Sequence, residues 1–210
     1  MKSINFNNVG FIEQKLSKKV LERINSYIKN KDQKWNNNLV GHIDSSYVLN
    51  DKDNWFFINT ILPTIKKFQH DFTPSTNYIP HVLTKNCEFI LDKMWVNFQK
   101  KHEFNPLHDH SGVYSFVIWL TIPSDHDKEK ELPFVKHANN SFPNMFEFAY
   151  INSLGQLCTH QYKLSSKDEG TMLLFPAKLM HSVYPFYLSN KTRISVSGNI
   201  SLNPERILKL

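Results

Sequence analysis

Near residue 86 the spacing of apolar residues changes from a helical to a strand-like period, and this change restricts the fold more than any other feature. Before it, Phe11, Leu16, Val20, Ile24 and Ile28 recur at helix-like intervals with lysines and glutamates between them, which predicts a helix over 11–28. A second amphipathic run, Asn54 to His70, predicts another helix. Pro63 falls inside it, and a residue with no amide hydrogen predicts a kink or break there. The stretch Lys29 to Asp53, rich in Asn and Asp, reads as a loop.

After residue 86 the runs are short, β-branched or aromatic, and separated by turn residues. Phe89 to Phe98 reads as a strand, and so do Met145–Ile151, Leu157–Leu164 and Thr171–Phe175. Val113 to Ile122 (VYSFVIWLTI) is almost wholly apolar, which predicts a central strand buried on both faces. The last strand, Arg193 to Leu202, alternates: Arg193, Ser195, Ser197 and Asn199 share one face, and Ile194, Val196 and Ile200 mostly take the other.

Helices followed by about seven strands, with no βαβ alternation, predict an α+β chain. So many short strands close most naturally as a double-sheet jelly roll. We expect a single domain over 1–210, with a helical N-terminal part (1–85) packed on a jelly-roll core (86–210). Polar side chains turned inward in such a core need partners. The Arg-Ser-Ser-Asn stripe is therefore expected to line a ligand pocket rather than face solvent.

The 210 residues suffice for a substantial core. The net charge of +6 comes from lysines scattered in pairs, such as Lys66-Lys67 and Lys100-Lys101, with no long basic run. A solvated lysine-rich surface is the expectation, ahead of a nucleic-acid partner. Cys87 and Cys158 belong to no CxxC pair and read as buried free thiols of a reducing compartment. The N-terminal residues hold no apolar signal core, and no stretch approaches a membrane span, so a cytoplasmic protein with no membrane partner is expected.

Chemistry concentrates in a split histidine group. His108-Asp109-His110 stands before the central strand, His181 far downstream, and Arg193-Ile194-Ser195 shortly after that. Imidazoles two apart on an extended chain share a face, and a remote third imidazole completes a metal site. Two arrangements are open. In one, His108, His110 and His181 are the ligands and Asp109 faces away. In the other, a bulge turns Asp109 inward to bind with His181 and one of the pair. Strand parity favours the first. The downstream arginine offers a planar fork of donors suited to a carboxylate. Of the remaining histidines, His70, His102, His126, His137 and His160 have no comparable context. The charged loop Ser124 to Glu131, which includes Asp125-His126-Asp127, reads as solvated and able to serve as a lid. Gly112, Tyr114 and Phe116 are expected on the face of His110, with Tyr114 either at a co-substrate or in the core, and Gly112 relieving crowding.

Two segments, WVNFQKKHEFNPLHDHSGVYSFVIWL (95–120) and GTMLLFPAKLMHSVYPFYLSNKTRISVSGNI (170–200), resemble the 2-oxoglutarate/Fe(II)-dependent dioxygenase superfamily, and more closely its small subgroup found in phages and marine bacteria. The resemblance implies a double-stranded β-helix of cupin-like form, with Fe(II), 2-oxoglutarate and O2 as cofactors. Position by position it makes His108 the first ligand, His181 the distal ligand, Arg193 the anchor of the far carboxylate of 2-oxoglutarate, and Ser195 its hydrogen-bonding companion. Position 110 usually holds Asp or Glu in the superfamily, and here it is His. The expected function is a hydroxylase acting on a small-molecule or peptide substrate. The alternatives are a zinc-binding or non-catalytic jelly-roll protein, and an oxidative demethylase of nucleic acid. A homodimer is the base-rate expectation for assembly.

Overall fold

The computed structural model describes residues 2, 9–76 and 87–203; the remainder of the expected helical part and the end of the expected core lie outside the described residues. Among the described residues, ten strands form two antiparallel sheets that face each other. The larger sheet has the order β1 (Ile12–Lys15), β8 (Thr171–Pro176), β5 (Tyr114–Thr121), β10 (Arg193–Leu202), β3 (Phe89–Gln99) and β2 (Ser46–Val48). The smaller has β4 (Asn105–His108), β9 (Met180–Val183), β6 (Met145–Ile151) and β7 (Leu157–Lys163). This is the expected α+β double-stranded β-helix.

Two hydrophobic clusters hold it together, one on each face of the larger sheet. On the outer face, Tyr114, Phe116 and Ile118 of β5, Met172 and Leu174 of β8, and Val196 and Ile200 of β10 pack under α1 (Lys18–Lys29) and α2 (Leu62–Thr76). The helices contribute Ile24, Tyr27, Ile65 and Phe68. Between the sheets lie Val117 and Trp119 of β5, Leu173 and Phe175 of β8, and Phe146 and Phe148 of β6. Neighbouring residues of β5 and β8 serve opposite cores, so these strands carry unbroken apolar runs, and β5 is central as expected.

The N-terminal third contributes strands as well as helices. The expected helix over 11–28 begins only at Lys18, after the Ser17 cap, whose Oγ accepts from Val20 N. Residues 12–15 instead pair with β8 at the sheet edge, where open backbone groups outweigh local helical preference. Three residues of the expected loop, Ser46–Val48, pair with β3. Pro63 does not end the second helix. A π-helical segment, Phe57–Ile61, precedes it and runs straight into α2. Asp51 caps this start, accepting from Phe56 N and Phe57 N at 3.1 and 2.9 Å, and also takes the Tyr27 hydroxyl of α1 at 2.6 Å.

The charged loop is solvated only in part. It forms a short helix, α3 (His126–Glu129), with Asp125 as its cap and His126 and Glu129 buried. The cysteines are free, as expected, but half-buried rather than buried. Among the described residues no helix is long and apolar enough to cross a membrane.

Candidate active site

The two short strands β4 and β9 create the site. Their register sets His108 directly opposite His181. The chain then leaves β4, and His110 is held by its own amide, which donates to Ala177 O at 2.9 Å. One nitrogen from each of His108, His110 and His181 lies within 4.8 Å of the others. His110 Nε2 and His181 Nε2 are 3.2 Å apart. The His108 Nδ1–H donates to Pro106 O at 2.7 Å and that of His181 to Leu179 O at 2.9 Å. These bonds orient both rings with the proton on Nδ1, which makes each Nε2 an acceptor.

The surroundings keep the rings neutral. Phe175 and Phe146 lie 4.9 and 5.6 Å from His181, and Trp95 lies 5.8 Å from His110. Burial pulls the basicity of His108 down, that of His110 down to about 4, and that of His181 well below the usual histidine value. Neutral imidazoles, each with one unprotonated nitrogen to offer, are what a metal ion requires. Asp109 stands outside this group. Its carboxylate meets Lys178 Nζ at 3.2 Å in a well-exposed pair.

Gly112 has φ +93°, and a Cβ there would meet Ile200 O at 2.6 Å. The glycine relieves crowding, as expected, but it also breaks the strand parity on which the common face of His110, Tyr114 and Phe116 was expected. Tyr114 is fully buried in the outer core beside Phe68 and Phe89, so of its two expected places it takes the core. Gly112→Ala is expected to destabilise the fold by about 1–2 kcal/mol or more, because both conformation and space oppose a methyl group. Thermal unfolding measures it, and an unchanged melting temperature would contradict the strain.

A cavity of about 420 Å³ opens beside the three imidazoles. The expected polar stripe of β10, Arg193, Ser195, Ser197 and Asn199, lines it. Arg193 is 1 % exposed. One terminal nitrogen donates to Gln99 Oε1 at 3.1 Å and to Tyr184 O at 3.2 Å, and the other donates to Asn144 Oδ1. Its guanidinium lies 4.9 Å from the Phe186 ring. Burial draws Arg193 down to about 9, still a cation at neutral pH. Three of its five N–H groups are thus used, and Nε has no partner among the described residues. No carboxylate of a described residue lies within ion-pair distance of it. A buried cation with spare donors and no carboxylate in contact with it is a seat for a carboxylate ligand.

Sequence reasoning missed several neighbours. Gln99 pairs in register with Arg193, and its signal was present in the alternation of Asn97 and Gln99 with Val96 and Phe98. Asn144, Phe186 and Trp95 reach the site through tertiary contacts that no spacing reveals. The outer wall comes from the segment before β2, including Trp35, Leu39 and Val40, with Trp35 stacked 6.2 Å from Trp95.

Residues 93–199, which include His108, His110, His181, Arg193 and Ser195, match the sequence model of the family described as "Putative 2OG-Fe(II) oxygenase". No curated protein matches the chain significantly in sequence. The fold is similar to that of an oxidoreductase of the 2OG-Fe(II) oxygenase family from Burkholderia pseudomallei, at 14% identity and a TM-score of 0.51 over 92% of this chain and 84% of that one. It is also similar to the non-heme alpha-ketoglutarate-dependent epimerase SnoN of nogalamycin biosynthesis, at 9% identity and a TM-score of 0.51 over 91% and 78% of the two chains. With a family match across half of its length and the family's jelly roll around a histidine-lined cavity, this chain belongs to the 2OG-Fe(II) oxygenases, enzymes that use Fe(II), 2-oxoglutarate and O2.

Proposed function

We propose that the chain is a 2-oxoglutarate-dependent hydroxylase in which His108, His110 and His181 hold Fe(II), and Arg193 with Ser195 binds the far carboxylate of 2-oxoglutarate. One observation carries this reading. A cluster of three neutral imidazoles and a buried arginine with spare donors line the same cavity. The fit is chemical. Imidazole suits ferrous iron, and the unpartnered Nε–H with the remaining terminal N–H of Arg193 offers two donors to one carboxylate.

When bound, Fe(II) with 2-oxoglutarate and O2 supplies the oxidising power. The protein's own residues do the rest. The carbonyls of Pro106 and Leu179 fix the rings of His108 and His181. Phe146, Phe175 and Trp95 keep water from the imidazoles. Gln99, Asn144 and Tyr184 O hold the guanidinium in one orientation, and the Ser195 hydroxyl, which lines the same cavity, donates to the ligand it grips. The substrate, a small molecule or peptide, enters past Trp35 and Val40.

Mixing the protein anaerobically with Fe(II) and 2-oxoglutarate is expected to give a visible charge-transfer band and a rise in melting temperature. The absence of both responses in folded protein would refute the reading. A zinc site without oxygenase function would show a thermal shift with Zn(II) and no band with Fe(II) and 2-oxoglutarate. A candidate panel scored for stimulated 2-oxoglutarate turnover identifies the substrate class.

A further inference from the structure

We propose that Glu129 is a positioning residue for the 2-oxoglutarate end of the cavity, because its buried carboxylate sets the turn that supports Arg193. This rests on the assignment of Arg193 as the carboxylate anchor. Glu129 comes from the run of charges that reads as a solvated loop, yet it is fully buried. Its two oxygens accept from Tyr187 N at 3.1 Å each, one of them also from Leu188 N at 2.9 Å, and the same oxygen takes the Ser124 hydroxyl. No lysine, arginine or histidine of the described residues forms an ion pair with it. A buried carboxylate satisfied by backbone amides is expensive to misplace, so the turn it binds is held firmly.

That turn is the support of Arg193. Tyr184 O accepts from the guanidinium, and the Phe186 ring lies against it. The segment from Tyr184 to Leu188 has no regular secondary structure, so tertiary bonds alone shape it. Pro185 O accepts from Asn144 N at 2.8 Å, and Phe186 O from His102 N at 3.0 Å. Glu129 takes the next two amides in line. Asn144, whose side chain also meets Arg193, donates to Ser124 O at 2.9 Å, within the same α3 junction. The two buried charges thus share one scaffold, and the field of Glu129 favours the cationic form of Arg193. Phe186 and Tyr184 act on Arg193 directly, and Glu129 acts through them.

The test uses Glu129→Gln in the Fe(II)-loaded protein, titrated anaerobically with 2-oxoglutarate and followed by the charge-transfer band. Gln keeps one acceptor but turns an NH2 toward backbone donors, so the turn loosens. The expected result is a dissociation constant for 2-oxoglutarate raised about tenfold, an unchanged Fe(II) affinity, and faster hydrogen exchange of the Tyr187 and Leu188 amides. Phe186→Leu keeps an apolar side chain but removes the ring over Arg193, and is expected to weaken 2-oxoglutarate binding with Fe(II) affinity unchanged. It tests the same scaffold should Glu129→Gln fail to fold. An unchanged 2-oxoglutarate affinity in both folded variants overturns the proposal, as does a parallel loss of Fe(II) affinity, which marks a merely structural role. Arg193→Lys separates the premise from the inference. If that variant binds 2-oxoglutarate like the wild type, the anchor assignment falls. If only Arg193→Lys weakens binding, the anchor stands and the role of Glu129 is refuted.

Discussion

Replacing His110 with alanine is expected to lower Fe(II) affinity by about 100-fold or more, and replacing Asp109 with alanine to leave it nearly unchanged. Loss of an outer partner of a ligand commonly costs about 10–100-fold in metal affinity, and loss of a ligand itself costs at least as much. His110 is one of three imidazoles whose nitrogens gather within 4.8 Å. Burial holds its basicity down to about 4, so at pH 7 no proton competes for the lone pair. Asp109 is occupied by Lys178, and an exposed pair of that kind contributes roughly 0–1 kcal/mol. His110→Asp, which restores the carboxylate usual at this position in the superfamily, is expected to keep iron. Anaerobic Fe(II) titration with metal analysis decides the matter. Retention of iron by His110→Ala together with its loss from Asp109→Ala would replace the three-histidine assignment with the bulged one.

Arg193→Ala is expected to weaken 2-oxoglutarate binding by about 10²- to 10⁴-fold while Fe(II) still binds. Each hydrogen bond from a charged donor contributes about 1.5–3 kcal/mol, and two of them correspond to that range. The same change removes the donor from Gln99 Oε1, Tyr184 O and Asn144 Oδ1, so a lower melting temperature accompanies it. Arg193→Lys keeps a cation but no planar fork and is expected to fall between the two. Calorimetry or the charge-transfer band reads the affinity. Binding equal to wild type in either variant would remove Arg193 from the co-substrate site.

How far the site was legible depended on how local each signal was. His108 and His110 are two apart and precede an obvious strand, and Arg193 heads a ten-residue alternating strand, so spacing made them candidates and the resemblance of their segments to the dioxygenase superfamily gave them roles. The polar stripe behind Arg193 pointed inward for the same reason. Gln99 was visible in principle, because polar and apolar residues alternate along β3. Glu129 was misread because a run such as SDHDKEKE looks solvated to any local rule. Its burial follows from two backbone amides in a turn far along the chain. Tyr114 was left between two roles because parity was counted through Gly112, whose positive φ resets the face.

The sequence by itself determined the elements with long periodic runs: the buried central strand, the alternating closing strand, the amphipathic helices, and hence an α+β jelly roll around an inward polar stripe. Hydrophobic period and turn residues are local, and they survive without knowledge of the partner. Only the tertiary structure decided what four-residue strands and single side chains do. The register of β4 against β9 sets His108 opposite His181. The edge of β8 draws residues 12–15 out of the helix they resemble. Asp109 is left to Lys178 while His110 joins the cluster. Each of these outcomes depends on backbone groups and charges supplied by residues remote in sequence, whose positions are set only when the two sheets close on each other.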